Sequence, residues 1–273
     1  MAYEKKVGDD MPLMEVKGLT MRFGGIVAVD ELDFEIEEGS INALIGPNGA
    51  GKTSAFNCLT GFYKPTSGSI EYKGEPLVGL KPFQITYKKI LRTFQNVRLF
   101  KEMTVLENVM SGAHSISKQF VMGALLRTKA QRKEEKEILD NALSCLDFIG
   151  ITDLKDKVVK NLSYGDQRRV EWARALAAKP ELLLLDEPAA GLNAEEKEKL
   201  IALISRFRDE LGITVFLIEH DMSLVMKISE KITVLNFGKK IAEGTPAEVQ
   251  ANPLVIDAYL GTDDEEEDLA WAK

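Results

Sequence analysis

The chain has 273 residues, 45% of them hydrophobic and 29% charged, enough to bury a real core in one domain or two closely joined ones. No apolar run approaches the roughly 20 residues of a membrane span, and the charged start MAYEKKVGDDMPLM lacks the apolar centre of an export signal. The net charge of −8, carried largely by six consecutive acids from Asp263 to Asp268, argues against nucleic acid as the main partner, and Cys58 and Cys145, at no metal-binding spacing, predict reduced cytosolic thiols.

In chain order, Met14 to Val16, Ile26 to Val29 and Leu32 to Ile36 cluster or alternate as short strands. Ile41 to Ile45 is a short apolar run entering a glycine loop, and Lys52 to Leu59 is the helix leaving it. Pro65 to Gly68 predicts a turn, with a strand from Ser69 to Tyr72. From about Thr104 to Asp147 the pattern turns helical, and KAQRKEEKEILDNAL carries an apolar stripe on a charged surface helix. Leu182 to Leu185 is purely apolar and Ile213 to Ile218 is β-branched and apolar, as strands buried on both faces are. Ala194 to Glu210 is helical between them. Ile232 to Leu235 and Lys239 to Glu243 flank Asn236-Phe237-Gly238, a hairpin. Strands alternating with helices predict a mostly parallel α/β sheet, and the long helical stretch up to about Lys179 is read as a subdomain inserted into it. The acid run at the end reads as a solvated tail.

Three strand ends carry the chemistry. GPNGAGKT, Gly46 to Thr53, fits G-x-x-x-x-G-K-[ST] between a strand and a helix. Its backbone, Gly46, Pro47, Asn48, Gly49, Ala50 and Gly51, can wrap phosphates with N–H groups inward, and the helix start, with Ser54 next in line, favours anions. Lys52 reaches the β- and γ-phosphates, and Thr53 offers Mg²⁺ a hydroxyl. LLLLDEP puts Asp186 at the carboxyl end of a buried strand to hold Mg²⁺ through water, and aims Glu187 at the γ-phosphate as the group that polarises the attacking water. IEHD places His220, one of two histidines, at the next strand end, within reach of the same phosphate; His114 is given no role. Gln95 in RTFQN has an amide oxygen for Mg²⁺ or water. Phe23 precedes the first long strand and can stack on a base or serve as core. LSYGDQRR, Leu162 to Arg169, opens a helix with a Ser, the residue type that caps helix starts.

Phosphate loop, Gln, LSYGDQ, Asp-Glu, His: in this order the chain resembles the ATP-binding subunits of ABC transporters from Met14 to about Gly261. LSYGDQ is similar to the family signature LSGGQ, which separates ABC ATPases from other phosphate-loop enzymes. The resemblance implies an α/β fold: a phosphate-loop NTPase (RecA-like) core, an N-terminal antiparallel β part and a helical subdomain at about residues 97–179, within one ATPase domain spanning residues 14–261. Residues 1–13 are then a flexible start and residues 262–273 an acidic tail. Lys52 and Thr53 match the Walker A positions, Gln95 the Q-loop, Asp186 and Glu187 the Walker B pair, His220 the switch histidine and Phe23 the adenine-stacking aromatic. Two subunits of the family pack head to tail, so Ser163 and Gly165 of one would close over the γ-phosphate of ATP held by the other. Tyr164 stands where the family has Gly, Asp166 where it has Gln, and Asn193 where the D-loop has an acid; Asn193 can still bridge a dimer.

RTFQNVRLFKEMTVLENV, LSYGDQRRVEWARAL, EPAAGLN and the ending NPLVIDAYLG are most similar to the larger ATPase subunit of branched-chain amino acid importers. That resemblance implies two integral membrane permease subunits, a second ATPase subunit or a second copy of the chain, a substrate-binding protein acting indirectly, no nucleic acid, and a peripheral place on the cytoplasmic face of the membrane. Leu99, Phe100, Met103 and Leu106 would form the groove for the permease, or belong to the core. Urea and short-amide importers and the lipopolysaccharide exporter carry similar ATPases. A soluble ABC ATPase acting on nucleic acid or ribosomes, and a small-molecule phosphoryl transferase, are the readings from other classes.

Overall fold

The computed structural model describes residues 11–95, 97–113 and 129–260. His114, the connecting part of the predicted helical stretch and the acid run lie outside the described residues.

In chain order the strands are β1 (Met14–Phe23), β2 (Ile26–Ile36), β3 (Ile41–Ile45), β4 (Ser67–Tyr72), β5 (Glu75–Pro76), β6 (Ile90–Arg92), β7 (Leu182–Asp186), β8 (Thr214–Ile218), β9 (Lys231–Asn236) and β10 (Lys239–Gly244). The helices are α1 (Lys52–Leu59), α2 (Pro82–Tyr87), α3 (Val105–Ala113), α4 (Lys129–Ile149), α5 (Tyr164–Ala177), α6 (Ala194–Leu211), α7 (Met222–Ile228), α8 (Pro246–Gln250) and α9 (Pro253–Leu260). The chain divides into two compact units, one built from residues up to Ile85 and from Glu181 onward, the other from Thr86–Pro180.

The first unit holds two sheets. One is antiparallel, ordered β2-β1-β4-β5; in the other, β10-β9-β3-β8-β7 run side by side, with β9, β3, β8 and β7 parallel. Every residue of β3, β7 and β8 is buried, as strands of a parallel sheet covered on both faces must be. Phe216 of β8 ties the layers together: its ring lies 5.2 Å from Phe34 of β2 and 5.2 Å from Phe56 of α1. The two runs predicted at Ile26 to Val29 and Leu32 to Ile36 are one strand. Its pairing with β1 is irregular, and Glu31 takes a left-handed φ of 48°, so the polar Asp30-Glu31 pair that looks like a break is an irregularity within a continuous strand. The hairpin turn is Phe237-Gly238 alone, with φ 46° and 81°; both are positive, as the two-residue turn that matches strand twist requires.

Apart from the short β6, the described part of the second unit is helical. Val105 and Val109 of α3, Ala142 and Leu146 of α4, and Val170 and Ala173 of α5 are fully buried. Among the described residues, the periodicity that reads as continuous from Thr104 to Asp147 falls on α3 and α4. Between α4 and α5 the chain makes only two short 3₁₀ turns, Thr152–Leu154 and Val159–Asn161. No described helix is long and apolar enough to cross a membrane.

Candidate nucleotide site

In the first unit, the glycine loop runs from the end of β3 into α1. Gly51 has φ 102°, and a Cβ there would lie 2.2 Å from the Ala28 carbonyl oxygen; Gly46 has φ 149°, with a Cβ 2.1 Å from the Leu235 carbonyl oxygen. No side chain fits at either place, which is why the loop needs these glycines. A contact that sequence reasoning missed braces the loop: Gly238 N–H, at the β9–β10 hairpin tip, donates to the Ala50 carbonyl at 2.9 Å, and the Gly238 carbonyl accepts from Asp30 N–H at 2.8 Å. Its only sequence signal is the turn dipeptide itself. Lys52 is buried, and its ammonium donates to the carbonyls of Gly46 and Pro47, the latter at 3.0 Å. The loop's own carbonyls thus keep the charge at the loop. Thr53, Asn48 and Gly49 face solvent. Phe23 is 42% exposed, and Tyr63 meets it edge-on at 5.2 Å with the rings 77° apart, leaving an aromatic surface open to a flat ligand.

Asp186 is the buried last residue of β7, and Glu187 follows it half-buried. Glu187 N–H donates to the Ile218 carbonyl at 2.9 Å, which sets the ends of β7 and β8 side by side. Its φ of 47° is left-handed, unusual for a residue with a side chain, and it turns the chain sharply at the candidate base. His220, exposed, follows the end of β8. The residue before it, Glu219, is fully buried: its carboxylate accepts N–H bonds from Ala189 at 2.6 Å, His220 at 3.1 Å and Asp221 at 3.4 Å, and burial pushes its pKa above the ordinary carboxylate value. Glu219 sits in the quoted IEHD motif, yet a single Glu beside a histidine gives no hint that it is buried. Asp221 caps α7 by accepting from Leu224 N–H at 3.2 Å. Burial opposes its ionisation, but Lys197, Ser223 and the Leu224 N–H outweigh that and hold its carboxyl below the usual range. Asn193 caps α6 in a reciprocal pair with Glu196, each side chain accepting the other's N–H at 3.0 Å.

In the second unit, Ser163 caps α5. Its hydroxyl accepts from Asp166 N–H at 3.1 Å and donates to the Asp166 carboxylate at 2.8 Å; the same carboxylate pairs with Arg169. The acid that stands in place of the family Gln is therefore matched by a cation one turn along. A Cβ at Gly165 would meet nothing within 4 Å, so the helix start is open. Tyr164, 49% exposed, extends over the guanidinium of Arg168, which is 5.5 Å from its ring. Arg168 is buried and donates to the Gln95 carbonyl at 3.1 Å, and Glu171, one turn further, accepts weakly from Arg98 N–H at 3.4 Å. One helix thus holds the backbone at Gln95 and at Arg98, while Gln95 itself is exposed. Sequence reasoning treated Gln95 and LSYGDQ separately because their spacing gives no sign of this. Phe100 is 53% and Met103 42% exposed, whereas Leu99 and Leu106 are half-buried.

A glycine loop between a buried strand and a helix, a buried strand running into Asp-Glu, and a histidine past the neighbouring strand end are arranged as in an ATP-binding cassette. A family model described as "ABC transporter" matches residues 29–190, more than half of the chain, and one described as "Branched-chain amino acid ATP-binding cassette transporter" matches residues 239–265. The chain belongs to the ABC transporter family and is one of its nucleotide-binding ATPases. It is 51% identical to the high-affinity branched-chain amino acid transport ATP-binding protein LivG of Salmonella typhimurium, over 92% of this chain and 98% of that protein. Among solved structures it is similar to the ADP conformation of MJ1267, an ATP-binding cassette of an ABC transporter, with a TM-score of 0.80 and 30% identity over 92% of this chain and all of that one. It is also similar to the dimeric post-hydrolysis cassette MJ0796 bound to ADP and Pi, with a TM-score of 0.72 and 27% identity over 85% of this chain and 98% of that one.

Proposed function

We propose that this chain energises the uptake of branched-chain amino acids as the ATPase subunit of an importer, peripheral on the cytoplasmic face of the membrane. The observation that carries the reading is the 51% identity to LivG along nearly the full length of both chains. Two permease subunits and a second ATPase, or a second copy of this chain, complete the assembly. The exposed Phe100 and Met103 suit a permease contact, since two large apolar side chains on an exposed segment leave surface for a partner to bury.

In this reading ATP stacks its base on Phe23 and lays its phosphates along Gly46 to Thr53. Loop N–H groups and the start of α1 face the anion, and Lys52 exchanges its carbonyl partners for phosphate oxygens. Within the first unit, Thr53 and Asp186 offer a hydroxyl and a carboxylate, hard oxygens that fit Mg²⁺. Bound there, Mg²⁺ would neutralise charge on the β- and γ-phosphates. Glu187 accepts a proton from the attacking water, and His220 contacts the γ-phosphate. Ser163 and Gly165 act on the ATP of the opposite subunit, and Asn193 lies at the dimer contact.

An affinity pull-down of the chain from its native membrane, read by mass spectrometry, tests the partners. Two polytopic membrane proteins and a second, shorter ATPase are the expected companions. Ribosomal or DNA-repair components in their place would overturn the transport reading.

A further inference from the structure

We propose that Glu219 is a positioning residue that locks the Glu187 turn and His220 into one frame, so that the candidate base and the γ-phosphate contact move together. The proposal rests on the roles of Glu187 and His220 put forward above and adds a residue that touches neither water nor nucleotide.

A carboxylate removed from water costs several kcal/mol unless its oxygens are met by donors. At Glu219 all three donors are backbone N–H groups of the two loops that carry the chemistry. Oε1 takes the Ala189 N–H at 2.6 Å, two residues past Glu187; Oε2 takes the N–H of His220 at 3.1 Å and of Asp221 at 3.4 Å. One planar group therefore spans from the loop after β7 to the loop after β8. Charge-assisted bonds of this kind are shorter and stronger than bonds between neutral groups.

Glu187 needs such a brace. Its left-handed φ of 47° is sparsely populated for a residue with a Cβ and persists only where the surroundings enforce it. On one side its own N–H is fixed to the Ile218 carbonyl; on the other the chain is held by the Ala189 bond to Glu219. A second tie runs parallel to the first: Asp221 meets Lys197 of α6 at 2.5 Å, so the helix that follows Asn193 is also joined to the His220 loop. A shift of His220 would thus be felt at Glu187 through Glu219, and at the segment from Ala190 to Asn193 through both ties.

Glu219→Gln tests this. The amide keeps the size and one acceptor but turns an NH₂ toward N–H donors, so at least one loop loses its partner. The expected result is ATP affinity like that of the parent chain, since none of these bonds reaches the phosphate loop, with kcat lowered about 10- to 100-fold by misplacement of the reacting groups. Adding His220→Ala to the Glu219→Gln chain should then cost much less than His220→Ala alone, because the two act through one frame. Glu219→Asp, one methylene shorter and still charged, should give the same split between binding and turnover. Normal turnover in Glu219→Gln, or strictly additive losses with His220→Ala, would overturn the proposal. Loss of ATP affinity in both the Gln and Asp variants would overturn it as well, since Glu219 would then support the whole unit. Glu187→Gln serves as the control: if it hydrolyses ATP normally, the site reading fails, whereas an inactive Glu187→Gln beside a fully active Glu219→Gln defeats this proposal alone.

Discussion

Glu187→Gln should bind ATP as the parent chain does, lose turnover about 10²- to 10³-fold, and accumulate as an ATP-bound dimer. The substitution keeps the side-chain shape and the backbone bond from Glu187 N–H to the Ile218 carbonyl, so the turn is expected to survive. What it removes is the oxygen that accepts the proton of the attacking water. Binding depends on the glycine loop and Lys52, which the substitution leaves alone. If ATP holds two subunits together and hydrolysis releases them, blocking hydrolysis leaves the pair closed. Light scattering with ATP would then report a doubled mass that does not decay. Parent-like hydrolysis would remove Glu187 from the role of base.

Ser163→Arg should leave ATP binding by the single subunit intact and abolish ATP-induced dimers, with hydrolysis falling alongside. Ser163 is exposed at the start of α5, and Gly165 beside it has open space around its Cα. That is room for a phosphate, and a long cationic side chain would fill it. Loss of the cap also weakens α5 by about 1 kcal/mol, so Ser163→Ala, which loses the cap without adding bulk, is the companion variant. It should dimerise better than the Arg variant. Dimers that persist in Ser163→Arg would contradict the role of the signature in the opposite subunit's site.

The strand-end positions of the candidate residues in the first unit were legible in the sequence because their signals are local. Gly46 to Thr53 has a spacing that few other structures need, and the purely apolar run before Asp186 and the β-branched, apolar run before Glu219 announce strands buried on both faces. The Asp186-Glu187 and His220 positions then follow from where such strands end. Contacts that join distant segments left no trace of this kind. Gly238 bracing the phosphate loop, Arg168 holding the Gln95 carbonyl, and Glu219 spanning two strand ends each pair residues whose separation in sequence carries no periodicity. The Glu31 irregularity shows the same limit at the level of a single strand, where a polar pair reads as a gap and the backbone simply carries on. Asp166 and Asn193 are departures from the family pattern that the structure explains locally: one is paired with Arg169 and Ser163, the other caps α6 with Glu196.

The measurement that bears most directly on the proposed function is uptake of radiolabelled leucine by cells lacking this chain, complemented with either the parent chain or Glu187→Gln. The parent chain should restore uptake of leucine, isoleucine and valine, and Glu187→Gln should not, although it is present and binds ATP. Unchanged branched-chain amino acid uptake in the deleted cells, with loss of urea or short-amide uptake or of lipopolysaccharide export, would contradict the assignment and leave the ATPase chemistry serving another cargo.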